Sequence, residues 1–106
     1  MNQMIKRRKK TPRVNLPGAF FARTDLSYTN LEAANLSKAN ATGVTFRGSN
    51  MKNTKLDGTI LIGADLTNVK NLTLEQLRQA IVDETTILPD YIDGSQLNLR
   101  GSNHVD

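Results

Sequence analysis

Large apolar residues recur at every fifth position of this chain between residues 16 and 66. The residue two places before each of these centres is small or β-branched, and the residue directly before it is Asn or Asp in seven of the eleven repeats. Glycine recurs two places after the centre, at five of the repeats. The centres are all apolar, and all but Ala41 are large: Leu16, Phe21, Leu26, Leu31, Leu36, Ala41, Phe46, Met51, Leu56, Leu61 and Leu66.

A spacing of five matches neither the 3.6-residue period of a helix nor the two-residue period of a strand. It requires a chain that turns a corner at every repeat, so that four corners close a square coil of about twenty residues. Successive coils then stack at roughly 4.8 Å through backbone hydrogen bonds. The centres fill the axis, Asn and Asp bond their own backbone at the corners, and glycine accepts the corner conformation without a Cβ clash.

The motifs Thr24-Asp25-Leu26, Ala34-Asn35-Leu36 and Ala64-Asp65-Leu66 resemble the A-[D/N]-L-x-x consensus of the pentapeptide-repeat family. The resemblance covers about residues 14–70 and implies an all-β solenoid, a right-handed quadrilateral β-helix of about three coils. Ala41 departs from the pattern, and we expect its larger column neighbours Phe21 and Leu61 to fill part of the volume that it leaves. The Asn or Asp position is also replaced in four repeats, by Phe20, Thr45, Lys55 and Ile60.

The sequence predicts a short capping helix at the C-terminal end of the stack. Thr73 and Gln76 have the spacing of a capping box, and a helix over about residues 74–83 would place Leu74, Leu77, Ala80 and Ile81 on one face. The expected organisation is therefore a disordered basic tail over 1–13, the β-helix over 14–70, a helical cap over 71–92 and a flexible tail over 93–106. Further seal residues are expected at Leu88, Pro89, Tyr91 and Ile92, and a short edge strand is possible at Leu97 and Leu99.

Positive charge is concentrated at the N-terminus. Residues 1–13 carry six basic residues and no acid, whereas the remainder carries eight bases and ten acids, a net charge of −2. The tail has three open interpretations: it binds nucleic-acid phosphates, it binds an anionic membrane or acidic protein surface, or it is a solvated segment that aids solubility. The candidate anion-binding residues are Lys6, Arg7, Arg8, Lys9 and Lys10.

Catalytic chemistry is not indicated. The chain has no Cys and one His, His104, so it lacks the residues for a thiolate or multi-histidine metal site, and we predict no metal and no cofactor. Asp25 and Asp65 would share a column about 10 Å apart, but corner Asx residues are explained by the fold. These residues predict that the protein is not an enzyme. No apolar run approaches the length of a membrane-spanning helix, and the N-terminus lacks a signal sequence, so a cytoplasmic location is expected.

One side of the predicted solenoid is apolar. Residues twenty apart stack, which places Phe20, Ala22, Ile60 and Ile62 on the same side. An exposed apolar cluster favours an interface with a second copy or a protein partner. The alternative is that the chain's own N- or C-terminal segment, including Leu97 and Leu99, covers it.

These features favour a non-catalytic interaction or scaffold module whose basic tail acts as an electrostatic tether. The alternative is binding of nucleic acid or an anionic surface through that tail. The family resemblance also implies DNA mimicry directed at gyrase, but that function requires a long, strongly acidic rod. This body is short, about 15 Å by the stacking distance, and only weakly acidic.

Overall fold

The chain turns a corner at every fifth residue in the computed structural model, which describes residues 13–97 and 99. All eleven corner positions, from residue 18 to residue 68, have positive φ. Five are glycines, and the others have φ between 55° and 62°. This left-handed conformation allows the tight turn that carries the chain from one side of the coil to the next. The non-glycine corner residues are Arg23, Tyr28, Ala33, Lys38, Asn53 and Asn68.

Residues twenty apart pair through parallel β-bridges, so that each twenty-residue stretch, called a coil below, stacks on the next. Asn35, for example, donates its N–H to the Val14 carbonyl (2.9 Å) and accepts from the Leu16 N–H (2.8 Å). The bridges form four columns, one on each side of the coil: Asn15–Asn35–Lys55, Phe20–Asn40–Ile60, Asp25–Thr45–Asp65 and Asn30–Asn50–Lys70.

The repeat centres form the core. From Leu31 to Leu66, every centre is at most 2% exposed, including Ala41. The small residues two places before the centres from Leu36 to Leu66 are also buried, and three of these buried residues carry hydroxyls. These hydroxyls donate to carbonyls of the preceding coil: Ser49 to Leu26 (2.6 Å), Thr54 to Leu31 (2.7 Å) and Thr59 to Leu36 (2.7 Å). Because each buried hydroxyl has an acceptor, polar side chains are tolerated in the core.

The predicted bonding of Asn and Asp to their own backbone is confirmed. In six repeats the side-chain oxygen accepts from the backbone N–H two residues further on, at 2.9 to 3.1 Å. Each such bond stabilises its corner. The six residues are Asp25, Asn30, Asn35, Asn40, Asn50 and Asp65.

One α-helix, α1, spans Leu74–Gln79. It begins with the predicted capping box, in which Gln76 N–H donates to the Thr73 hydroxyl (3.1 Å) and Thr73 N–H donates to the Gln76 side chain (2.8 Å). Leu77 is fully buried against the core, and the Gln76 amide donates to the carbonyls of Met51 (2.9 Å) and Thr54 (3.0 Å).

The helix is shorter than the predicted 74–83, and the placement of Ile81 on its apolar face was wrong. Ala80 is already extended, and Ile81 forms a parallel bridge with Ile60. Ile81 N–H donates to Thr59 O, and Leu61 N–H donates to Ile81 O, both at 2.8 Å. The exposed edge of the stack needs partners for these groups, and this requirement ends the helix.

The repeat pattern returns after α1 with one extra residue. Thr86 donates its hydroxyl to Leu61 O (2.9 Å), Ile87 bridges Asp65, and Leu88 packs against the core. Pro89 is buried and Ile92 packs against the core, whereas Tyr91 remains 58% exposed and bonds Val69 O through its hydroxyl.

A 3₁₀-helix spans Gly94–Gln96, where the Asp93 side chain accepts from Ser95 N–H (3.0 Å). Leu97 ends this helix and packs against the core, and it makes no bridge with another described residue.

Several sequence predictions lie outside the described residues. They are the basic segment Lys6–Lys10, His104, and residues 98 and 100–106 of the predicted flexible tail. Within residues 13–97, no helix is long and apolar enough to cross a membrane.

The corner at Ala33 gives a test of the backbone geometry. Ala33 has φ 58°, a conformation that costs an L-residue about 1–2 kcal/mol and that glycine adopts freely. Replacing Ala33 with glycine removes this cost, but the greater freedom of glycine in the unfolded chain offsets part of the stabilisation. Ala33→Gly should therefore raise the free energy of unfolding by up to about 1 kcal/mol. Its neighbour Ala34 is fully buried and lies outside the left-handed region, so Ala34→Gly should lower it by about 1 kcal/mol. Urea denaturation measures both, and equal destabilisation would contradict the geometry.

Candidate interaction surface

The four apolar residues selected from the sequence lie on the same side of the stack. Phe20 and Ile60 belong to one bridge column, with Asn40 between them. Ala22 and Ile62 lie two residues further on, in the turns at the end of this side. Phe20 is 76% exposed, whereas Ala22, Ile60 and Ile62 are half-buried.

A polar pair divides this side in two. The Asn40 side chain accepts from both the backbone N–H (3.0 Å) and the hydroxyl (2.6 Å) of Thr42. These two residues occupy the middle coil, so Phe20 lies about two stacking distances, roughly 10 Å, from Ile60. The structure therefore brings Ile60 and Ile62 together but leaves Phe20 at the N-terminal end.

Sequence reasoning missed Ile81 as a surface residue. Ile81 is 46% exposed and extends the Phe20–Asn40–Ile60 column by one position. Ala80-Ile81-Val82 repeats the small–variable–large pattern of the pentapeptides, and that pattern was the available signal. It was obscured because the same residues also fit a helical spacing after Leu77. The apolar surface, defined here as Phe20, Ala22, Ile60, Ile62 and Ile81, thus ends beside α1.

The described part of the C-terminal segment lies at the far end of this surface, beside Ile81. Leu97 lies with Leu77, Val82 and Ile81 around a cleft at the end of the stack. Leu99 lies near Gly94. The exposure of Phe20 shows that no described segment covers it.

The neighbouring side carries the Asp25–Thr45–Asp65 column. Partial burial by itself would raise the pKa of Asp65, but hydrogen bonds from the Thr67 hydroxyl and N–H and from Arg47 outweigh it, so the pKa of Asp65 lies below its usual value. The Arg47 guanidinium is 3.0 Å from the Asp65 carboxylate. Hydrogen bonds from the Ser27 hydroxyl and N–H also hold the pKa of Asp25 below its usual value. Both carboxylates are thus stabilised as anions within their corners, which is the structural role expected of them.

Residues 13–97 contain no group of three or more His, Cys, Asp or Glu side chains placed to hold a metal ion.

The parallel ladder of residues twenty apart, with a left-handed corner every fifth residue, defines a β-helix solenoid. A family model for pentapeptide repeats matches residues 13–40 and 34–70, with eight copies of the repeat. The chain belongs to the pentapeptide-repeat family. Solved structures of this family that resemble the chain imply that its β-helix is right-handed.

Two solved structures similar to this chain are pentapeptide repeat proteins of cyanobacteria. Rfr23 from Cyanothece 51142 is 30% identical, with a TM-score of 0.64, over 73% of this chain and 52% of Rfr23. The alr5209 protein from Nostoc PCC 7120 is 26% identical, with a TM-score of 0.41, over 83% of this chain and 76% of that protein. The matched region thus spans about half the length of Rfr23. No curated protein matches the sequence.

The lowered pKa of Asp65 predicts a pH-dependent contribution to stability. A carboxyl group whose pKa is lower in the folded than in the unfolded chain stabilises the fold above its unfolded pKa, about 3.9, and loses that contribution as the pH falls through the folded value. Asp65→Asn should therefore lower the free energy of unfolding at pH 7 by about 1 kcal/mol or less, and should reduce its decline between pH 5 and pH 2.

Urea denaturation across this pH range measures the effect. Asp57→Asn is the matched control, since the exposed Asp57 side chain makes no hydrogen bond with another described residue. An Asp65→Asn profile parallel to that of the wild type would contradict the role of the Arg47 and Thr67 contacts.

Proposed function

We propose that this protein is a non-catalytic interaction or scaffold module of the cytoplasm. In this proposal, about three coils of quadrilateral β-helix, closed at the C-terminal end by α1 and the segment after it, present the apolar surface to a protein partner. Membership of the pentapeptide-repeat family supports the non-catalytic part, since proteins of this family generally lack enzymatic activity.

The observation that carries the proposal is the accumulation of large apolar side chains on one side of the stack. Phe20 and Ile81 are 76% and 46% exposed, and Ile60 and Ile62 lie between the levels of these two residues. Removal of apolar surface from water contributes roughly 25 cal/mol per Å². A partner that covers these residues gains this contribution at little conformational cost, because the bridges and corners already fix the backbone.

The apolar surface is tested by comparative capture from a lysate of the native host. The full chain and Ile60→Ser/Ile62→Ser are immobilised in parallel, with Lys55→Ser/Asp57→Ser on another side as the matched control. We expect a specific protein to be retained by the wild type and the control and reduced at least about tenfold with the isoleucine variant, which corresponds to a loss of about 1.4 kcal/mol. Circular dichroism verifies that each variant is folded. Retention of the same proteins by all three would contradict the proposal.

A second candidate function rests on the charge of the N-terminal segment. Six basic residues and no acid lie within residues 1–13, next to a body of net charge −2. Such a segment binds a polyanion through phosphate contacts, and each neutralised phosphate steepens the salt dependence of the affinity.

A gel shift with duplex DNA and with RNA tests this candidate, using the full chain and a variant that lacks residues 1–10. We expect binding by the full chain that weakens by about tenfold or more between 50 and 200 mM salt, and loss of binding by the truncated variant. Vesicles with anionic lipid, assayed in parallel, distinguish a nucleic-acid ligand from a membrane surface. Equal binding of DNA or RNA by the two chains would exclude the tail as the binding element.

A further inference from the structure

Within residues 13–97, the N-terminal edge of the stack lacks the backbone hydrogen-bond partners that every later coil has. In the interior, the residue before each centre uses both its N–H and its C=O to bond the preceding coil, as Asn35 bonds Val14 and Leu16. The equivalent residues of the first described coil make no backbone hydrogen bond on that side with any residue of 13–97. These edge residues are Asn15, Phe20, Asp25 and Asn30.

The same edge leaves core positions accessible. The centre Leu16 is 41% exposed, and Phe21 and Leu26 are only partly buried. The centres one coil later, Leu36 and Ala41 among them, are fully buried. A further layer of chain on the edge therefore buries the first centres in the same way, and it pairs the free backbone groups.

The chain's own N-terminal segment is a poor candidate for this layer. Extended backwards, the five-residue register places Lys6 and Thr11 at interior centres, where every later repeat has an apolar residue. Burial of an unpaired lysine is strongly unfavourable. The C-terminal end of another copy does not fit either, because Leu77 and Gln76 already occupy that end of the stack.

We infer that two copies of this protein associate through their N-terminal edges, related by a two-fold axis. An edge residue that presents both N–H and C=O can exchange both bonds with an equivalent residue of an antiparallel neighbour. This self-complementarity is what a two-fold interface requires, and the closed opposite ends limit the assembly to a dimer. Because the contact is confined to one coil, the dimer belongs to the weak end of the range of interface sizes.

The basic segments give this dimer a distinctive dependence on salt. The segment of net charge +6 in each copy joins the stack at Arg13, two residues before the edge residue Asn15, so the dimer joins two like-charged segments to the same interface. Added salt screens the repulsion between the two segments, so the association strengthens as ionic strength rises.

Sedimentation equilibrium of the full chain tests the inference, with Leu16→Glu as the edge variant. Ile81→Glu is the matched control, since the two residues are 41% and 46% exposed and lie at opposite ends of the stack. We expect concentration-dependent dimers for the wild type and Ile81→Glu, and a dissociation constant at least about tenfold higher for Leu16→Glu. For the wild type, the constant should fall about tenfold between roughly 0.01 M and 1 M salt, and a chain without residues 1–10 should lose this dependence.

A second measurement covers the case in which Leu16→Glu does not fold, as judged by circular dichroism. The chain has no cysteine, so Asn15→Cys introduces a single thiol at the edge and Ile81→Cys a single thiol at the other end. A bismaleimide reagent should crosslink pairs of the first variant but not of the second.

Each contrary outcome overturns the inference. The first such outcome is that the wild type stays monomeric up to about 1 mM at high salt. The others are that folded Leu16→Glu has the same dissociation constant as the wild type, or that only Ile81→Cys is crosslinked. If added salt does not strengthen the dimer, repulsion between the basic segments does not contribute to the association. The inference can be tested separately from the proposed partner surface, because the edge shares only Phe20 with that surface and Ile60→Ser/Ile62→Ser should leave the dimer intact.

Discussion

The structure depends on a left-handed backbone corner that recurs every five residues. The corner sets the length of each side, four corners return the chain to its starting column, and the backbone of one coil then meets that of the next in register. Burial of the centres, the hydroxyl bonds in the core and the sorting of surface residues into columns all follow from this return. Glycine supplies the corner at five positions, and the local cost at the others is offset by the hydrogen bonds of the ladder that the corner permits.

Polar residues support this fold as much as apolar ones. The core axis is narrow, and large centres alternate with small residues whose hydroxyls bond the preceding coil, as in Ser49, Thr54 and Thr59. On the outside, Asn and Asp side chains accept from the N–H of the residue before the corner position, and only 38% of the chain is hydrophobic. The family's repeat consensus therefore has a physical basis at each of its first three positions.

Much of this fold could be predicted from the sequence because its rule is local and repeated. The centres, the corners, the Asx bonds and the columns follow from counting in fives and twenties, and the position of the four apolar surface residues follows with them. The C-terminal end could not be predicted in the same way. Ala80-Ile81-Val82 fits both a helix and a bridge, and the choice is set by the open backbone groups of Thr59 and Leu61, which lie one coil earlier in the chain. The difference in exposure between Phe20 and Ile60 likewise depends on how many coils flank each residue.

The six-residue interval between Val82 and Leu88 shows where this architecture tolerates a change in length. In the middle of the stack, one inserted residue would displace a side against the coils both above and below it. In the last coil only one neighbour is present, and the extra residue is accommodated in the corner that contains Asp83 and Thr85, where the Asp83 carboxylate accepts from the Thr85 N–H at 2.8 Å. Variation in loop length, and with it the opportunity to acquire new surface shapes, is therefore concentrated at the terminal layer of the solenoid, while the inner layers are held to a fixed count.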